Sequence, residues 1–289
     1  MMSVTENSAF YPVTNPRPKY PSAWEVIIGA LRLYLRDVVL GIALVALLKG
    51  PYDQLRLALG VTDRLFYAVT IFAAHTGSYA LFNGTIAMLE RIGVIEHFKM
   101  TRKPAEVASA SLFTRLYAEA VINHFITSPI SAYFLYLLAQ HCGTPAASDS
   151  LPSIAYLAAV FAGAHAFNDV GFYWTHRIMH AKALYKTFHK KHHTFRGSVP
   201  AAAEFAHPVE VIISNQIPTM ALVLGIGAHP LVQAVWLILR LTQTLEVHSG
   251  YAFDDHWFCT VGLLAGGASF HDHHHTVRTI FCFASLPSW

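Results

Sequence analysis

The sequence predicts an all-α fold: a multi-pass transmembrane helical bundle of about four spans, with a cytosolic, histidine-rich helical cap that binds two metals. Composition supports the bundle, because 54% of the 289 residues are hydrophobic and only 13% are charged, against roughly 45–50% and about 25% in soluble domains. Histidine distribution supports the cap, because thirteen of the eighteen histidines lie between His176 and His275. The net charge of +3 is small and no Lys/Arg block alternates with aromatic residues, which excludes nucleic acid as a partner.

Long apolar segments predict the membrane spans, because about 20 such residues cross the hydrocarbon core of a bilayer. The predicted spans are residues 38–48 together with 31–36, then 65–89, 111–140 and 154–173. A further apolar stretch, residues 209–245, is interrupted near residues 225–230 and predicts a helical hairpin.

Basic residues in the connecting loops predict the orientation of the bundle. The connections 90–110 and 174–207 contain four and six Lys or Arg residues, whereas 141–153 contains none. Basic loops are enriched on the cytosolic side of a membrane, so the histidine-bearing region is predicted to face the cytosol. The basic loop around Arg56 lies on the predicted lumenal side and fits this rule poorly.

Three groups of histidines have the spacing of metal ligands. In HRIMH, His176 and His180 are one helical turn apart and face the same way. A single metal takes about four or five protein ligands at most, so eight such histidines predict two metals. These eight candidate ligands are His176, His180, His189, His192, His193, His271, His274 and His275.

Helix geometry constrains how these groups can meet. His180 and His189 are separated by about half a turn around an ideal helix, so a shared site requires a bend between residues 181 and 188. In HDHHH, a helix places the three candidate ligands in one sector and points His273 away from it. His273 is therefore predicted not to bind metal.

Four carboxylates are candidates for a supporting role at this site. Asp169 shares a helical stripe with the HRIMH histidines and is predicted to orient an imidazole or to bind metal itself; helix packing at the membrane boundary is the alternative. Asp272 is predicted to accept a hydrogen bond beside the last histidine group. Glu204 and Glu246 are predicted site carboxylates, with a role outside the site equally open.

His207 has two possible roles. It precedes Pro208, which favours a helix start immediately after it. Glu210 then has the position of a capping-box acid, so capping by this unit and metal binding by His207 both remain open. The scattered histidines are predicted to have packing or hydrogen-bonding roles; these are His75, His97, His124, His141, His165, His229 and His256.

Five motifs, in this order, resemble those of the fatty acid hydroxylase superfamily of integral membrane di-iron enzymes. They are FYWTHRIMH, ALYKTFHKKHH, AAEFAHPVE, LTQTLEVHSGY and HDHHH, within residues 168–285. The likeness is greatest to the sterol branch, the C-4 methylsterol monooxygenases. The resemblance identifies the eight candidate histidines as metal ligands and implies that His207 and His248 are the ninth and tenth members of the site.

The resemblance also implies a function. It implies a non-haem di-iron oxygenase of the endoplasmic reticulum membrane that uses O2 to oxidise a methyl C–H group of a sterol-like lipid. Electrons are expected from NAD(P)H through a separate cytochrome b5-type carrier, at a site facing the cytosol. The alternatives are a fatty-acid or sphingolipid hydroxylase, a sterol desaturase, or a non-catalytic membrane protein that binds metal or lipid.

These inferences divide the chain into three predicted regions. Residues 1–36 form an N-terminal cytosolic arm and amphipathic segment, residues 37–173 the transmembrane helices, and residues 174–289 the histidine-box catalytic region, which includes the hairpin 209–245. Tyr173, Trp174 and Tyr251 are candidate residues of the substrate pocket, with anchoring at the membrane interface as the alternative.

Overall fold

The computed structural model describes residues 23–253 and 267–277; most of the predicted N-terminal arm and the last twelve residues lie outside this part. The described residues form ten α-helices and no β-strand, which confirms the all-α fold. The helices are α1 (Ala23–Leu59), α2 (Asp63–Arg91), α3 (Ala110–Ile122), α4 (Ser128–His141), α5 (Ile154–Met179), α6 (Lys182–Leu184), α7 (Pro208–Glu210), α8 (Ile217–Gly225), α9 (Pro230–Val247) and α10 (Ala268–Val277).

Wider π-helical turns interrupt the helical path at several places. Asn123–Thr127 joins α3 to α4, Tyr185–His189 follows α6, and Val211–Gln216 joins α7 to α8. A π-helical turn inserts one residue into the helical repeat and often occurs at functional sites. Two of these turns carry a buried histidine: His124 in the first and His189 in the second.

Local sequence explains where several helices begin. The side chains of Thr62, Ser109 and Ser153 each accept a hydrogen bond from a main-chain N–H in the first turn of α2, α3 and α5. Such caps satisfy N–H groups that have no partner inside the helix. In the region of the predicted hairpin, α8 ends at Gly225 and Gly227 turns the chain with φ 63° before α9 begins, a conformation that glycine adopts without strain.

The core lies where α2, α5, α8 and α9 meet. α9 packs against α1 and α2, while α5 packs against α1 and α8. Trp236 of α9 is fully buried at the centre, and its indole N–H donates to the Thr219 carbonyl at 2.7 Å. Tyr67 donates to Gln233 Oε1, also at 2.7 Å. These bonds matter because an unsatisfied buried polar group costs about 1–3 kcal/mol.

Three helical stretches in the described residues are long and apolar enough to cross a membrane: 63–91, 104–141 and 208–225. The first two contain the second and third predicted spans, and the last is the first arm of the hairpin. The predicted first and fourth spans lie in α1 and α5, which are outside this set. Polar residues of α5, among them Asn168 and Asp169, lower the hydropathy of that stretch.

The outer surface of α3 and α4 agrees with a membrane location. Large apolar side chains such as Val121, Phe125, Phe134 and Leu137 are more than half exposed. Contiguous exposed apolar surface of this kind marks contact with a partner or with lipid.

Candidate metal centre

Helix α5 delivers the first two histidines and then ends. His176 lies in its last turn, and His180 is the residue that caps its C-terminus. Ala181 leaves the helical conformation, with φ −60° and ψ 138°. The π-helical turn Tyr185–His189 then brings His189 back beside them. The bend predicted between residues 181 and 188 is therefore confirmed.

A first group of five buried histidines converges through its ring nitrogens. The Nε2 atom of His180 lies 3.1 Å from that of His274 and 3.0 Å from that of His189. One ligand atom from each of the five lies within 4.8 Å of the others. The members of the first group are His176, His180, His189, His193 and His274.

A second group of four histidines lies beside the first. The Nε2 atom of His271 is 2.8 Å from that of His248 and 3.1 Å from that of His275. The members of the second group are His192, His248, His271 and His275. Residues that are close in sequence belong to different groups. In HKKHH, His193 belongs to the first group and His192 to the second; on α10, His274 belongs to the first group, and His271 and His275 belong to the second. His273 lies outside both groups.

The outer ring nitrogens indicate which tautomer these histidines adopt. In three cases Nδ1 faces an oxygen acceptor. The pairs are His189 with Glu210 Oε1 at 2.8 Å, His248 with the Thr244 carbonyl at 2.7 Å, and His275 with the Phe195 carbonyl at 3.0 Å. Donation from Nδ1–H leaves the lone pair on Nε2, directed into the group. A cation held within each group would bind these lone pairs.

Burial keeps these imidazoles neutral. Burial first, and then the neighbouring His274, lowers the pKa of His180 from the usual 6.5 to about 3. Burial followed by the charges of His180 and His274 lowers the pKa of His189 to about 2. For His248, burial dominates and the pKa falls to about 4. Since neutral imidazole is the form that binds metal, the site is ready for cations at neutral pH.

Asp272 anchors the helix that supplies three of these histidines. It is buried on α10, where one carboxylate oxygen pairs with Arg102 and the other accepts the Ser198 main-chain N–H at 3.0 Å. Asp272 thus accepts a hydrogen bond beside the last histidine group, but from the main chain of Ser198. Together with the Arg102 pair, this bond holds α10 against Ser198 and against the connection between α2 and α3.

Asp169 and Glu246 lie outside both groups. The Asp169 carboxylate accepts a hydrogen bond from the Tyr34 hydroxyl at 3.3 Å. Glu246 is buried near the end of α9, two residues before His248. Their predicted supporting roles stay predictions.

His207 also lies outside both groups. Its Nδ1 accepts a hydrogen bond from the Val209 N–H at 3.2 Å and caps α7. The capping-box interpretation of Glu210 is wrong, because its carboxylate turns inward to His189 instead. Glu210 is therefore a site residue that the sequence reasoning missed, although its place three residues after His207 gave the signal.

Glu204 lies outside the two histidine groups. Its carboxylate approaches His75 on α2 and His124 in the π-helical turn after α3. These three form a separate group of metal-ligand type. The assignment of His75 and His124 as scattered polar residues overlooked this proximity, which only tertiary packing creates.

The three candidate pocket aromatics have different surroundings. Tyr173 is buried on α5, and its hydroxyl accepts a hydrogen bond from Arg177 at 2.6 Å. Trp174 is 55% exposed on the same helix. Tyr251 is buried beside Ile86 and Ile95. The rings of Tyr173 and Trp174 lie 5.1 Å apart, and the assignment of the three residues to a substrate pocket stays a prediction.

Comparisons with known proteins agree with the histidine motifs. A family model described as fatty acid hydroxylase matches residues 161–289. A methylsterol monooxygenase of Arabidopsis thaliana is 32% identical over 206 residues, which cover 71% of this chain and 74% of the relative. A very-long-chain aldehyde decarbonylase of Oryza sativa subsp. indica is 28% identical over 80% of this chain and 81% of its own length.

A further relative has a different name. The fatty acid hydroxylase ahd1 of Mycosarcoma maydis is 30% identical over 61% of this chain and 44% of its own length. No solved structure matches the chain. The matches confirm the resemblance that the five motifs predict.

Proposed function

Because the chain belongs to the fatty acid hydroxylase family, we propose that it is a membrane-bound di-iron oxygenase that oxidises a methyl group of a sterol-like lipid. One observation carries this proposal: nine histidines, eight of them buried and His271 half-buried, form two adjacent groups whose Nε2 atoms converge. Imidazole suits iron, and two groups of five and four match two ions.

The protein contributes coordination, orientation and exclusion of water. The first group would hold one iron and the second group the other, with His207 serving as a helix cap. Glu210, Thr244 and Phe195 orient ligand rings from behind through Nδ1. When bound, the two irons share the electrons needed to activate O2 for attack on an unactivated C–H bond. Burial of the histidines keeps bulk water from that reaction.

The lipid substrate and the electron source follow from the membrane setting. The names of the relatives support a sterol or long-chain substrate, reached from the bilayer through the apolar helices. Electrons come from NAD(P)H through a separate cytochrome b5-type carrier on the cytosolic face of the endoplasmic reticulum. Lys182, Lys186 and Lys190 are exposed on the segment 182–190 around His189, and such a basic surface steers an acidic carrier.

A second candidate keeps the same centre and changes the lipid. The similarity to ahd1 favours hydroxylation of a fatty-acid or sphingolipid chain, and desaturation of a sterol uses the same cofactors. Lipid profiling of a deletion strain separates the three, because the accumulated precursor is a 4-methylsterol, a non-hydroxylated acyl chain or a saturated sterol ring.

The decisive experiment measures metal and turnover on the same sample. Detergent-purified protein is analysed by metal content and Mössbauer spectroscopy, then supplied with NADPH, carrier, reductase, ¹⁸O2 and a 4-methylsterol. We expect about two coupled irons in the centre and ¹⁸O in the product, both lost in a His192→Ala, His274→Ala variant.

The matched control is His97→Ala, which removes an exposed histidine outside both groups and should leave both readouts intact. Iron-supplemented protein that holds only zinc, or no metal in the two groups, would exclude the oxygenase. The non-catalytic metal- or lipid-binding function would then replace it.

A further inference from the structure

A third set of ligand-type side chains shares no residue with the nine histidines. His75 comes from the middle of α2, His124 from the turn between α3 and α4, and Glu204 from the segment before His207. We propose that His75, His124 and Glu204 form a mononuclear site for one divalent first-row transition metal ion, of the zinc or ferrous iron class.

The distances between the three groups match those between ligands of a single ion. Glu204 Oε1 lies 3.1 Å from His75 Nε2, and Glu204 Oε2 lies 3.3 Å from His124 Nε2. Metal bonds of about 2.0–2.2 Å to nitrogen and oxygen place neighbouring ligand atoms roughly 3.0–3.5 Å apart. Two histidines and one carboxylate are a ligand set that such metals use with open positions left for water.

Hydroxyl groups behind the two rings direct the correct nitrogen inward. Thr76 Oγ1 lies 3.2 Å from Nδ1 of His124, and Ser128 Oγ lies 3.4 Å from Nδ1 of His75. A hydroxyl oxygen can accept from Nδ1–H, which leaves the Nε2 lone pair free to bind a metal. The arrangement repeats what Glu210 does for His189 in the first group.

The ligand atoms of this third set do not satisfy one another's hydrogen-bonding capacity. Within the described residues, neither His124 Nε2 nor Glu204 Oε1 makes a hydrogen bond of acceptable geometry. In that same part of the chain, the ion-pair partners of Glu204 are His75 and His124, without a Lys or Arg. A partly buried carboxylate needs a cationic partner, and an ion between the three groups would supply it.

The surrounding structure holds the three ligands in place. The ring of Tyr79 packs on His124 with centroids 4.3 Å apart, and its hydroxyl donates to the Ala201 carbonyl at 3.0 Å. Tyr79 thereby ties α2 to the turn Pro200–Glu204. The ion would join α2, the α3–α4 helix and the segment that precedes the AHPVE motif, so we assign it a structural role.

The test counts metal on full-length protein in detergent after chelation. Zn²⁺ is titrated, and Co²⁺ serves as a second probe because its visible absorption reports the ligand set. We expect a His75→Ala, His124→Ala variant to bind about one ion fewer per chain than wild type and than His97→Ala. The Glu204→Gln variant keeps the shape of the side chain, and its Zn²⁺ affinity should fall at least about tenfold.

One further arm separates this site from the di-iron proposal. In the His192→Ala, His274→Ala background, the third site should still bind about one Co²⁺ with its own spectrum, whether or not the enzyme activity is confirmed. Equal metal content in wild type and the His75→Ala, His124→Ala variant would overturn the proposal. So would an unchanged Zn²⁺ affinity in Glu204→Gln, which remains informative even if the double variant fails to fold.

Discussion

The middle of helix α5 and its C-terminal end both carry histidines, but in different surroundings. At its C-terminal end, His176 and His180 face other imidazoles, with His274 Nε2 at 3.1 Å from each. Eleven residues before His176, His165 lies on the same stripe, but its Nδ1 faces the buried carboxylate of Asp37. Spacing alone predicts a shared face, whereas the partner brought by another helix decides the chemistry.

The surroundings of His165 form an ionic cluster, and among the described residues no group of metal-ligand type includes it. Asp37 of α1 is 1% exposed. It pairs with Arg36 at 3.0 Å and accepts a hydrogen bond from Gln243 of α9. The ring of His165 packs between Tyr34 and Trp236. The cluster satisfies the Asp37 charge, so its expected contribution is to the packing of α1, α5 and α9.

The largest expected effect comes from replacing the histidine at each of these two positions with alanine. His180→Ala should lower iron content by at least about one ion per chain and abolish turnover, because His180 contacts three other ligands of the first group. His165→Ala should keep the iron, because His165 belongs to neither group. Metal analysis checks both variants, and loss of iron in His165→Ala with retained fold would break the comparison.

The next effect concerns the stability that the Asp37–His165 cluster contributes. Asp37→Ala removes one partner of a buried cluster, and such losses cost about 3–5 kcal/mol. The expected result is a clear fall in the thermal midpoint in detergent. Asp53→Asn is the matched control, since the Lys49–Asp53 pair on the same helix is 42% exposed at its carboxylate and such pairs contribute about 0–1 kcal/mol. Equal midpoints in the two variants would contradict the assignment.

A smaller effect tests the residue behind the first group. Glu210→Gln keeps the shape of the side chain but replaces the carboxyl group that faces His189 Nδ1 with an amide. Partners of this kind are worth roughly 10–100-fold in metal affinity or activity. We expect weaker iron retention during dialysis against a chelator, with a near-normal fold. The control is Glu96→Gln, which changes an exposed side chain and should retain iron like wild type. If Glu210→Gln retains iron equally well, Glu210 does not orient His189.

The helical fold and most of the histidine centre follow from the sequence for physical reasons. Apolar length predicts spans, and the period of the helix groups His176 with His180. The need for a bend after His180 also follows from that period, and Ala181 provides it. What spacing cannot give is how ligands divide between two groups, because adjacent residues such as His192 and His193 enter different ones.

Contacts between distant segments account for the residues that sequence reasoning placed elsewhere. Glu204 meets His75 and His124 only because α2 and the α3–α4 helix pack beside the turn Pro200–Glu204. Likewise, no sequence pattern near Asp169 predicts its hydrogen bond with Tyr34. Such pairs depend on tertiary packing, which a single sequence specifies but does not display as a local pattern.

The smallest expected effect concerns His207, whose two roles the sequence left open. His207 and His229 both precede a proline, and both accept a main-chain N–H two residues on, at 3.2 and 3.1 Å. A shared cap geometry predicts a shared cost, so His207→Ala and His229→Ala should each lose about 1 kcal/mol or less of stability. Iron content should stay at the wild-type level in both. If only His207→Ala lost iron, His207 would count as a metal ligand after all. The cap geometry that both histidines share could not explain a difference between the two variants.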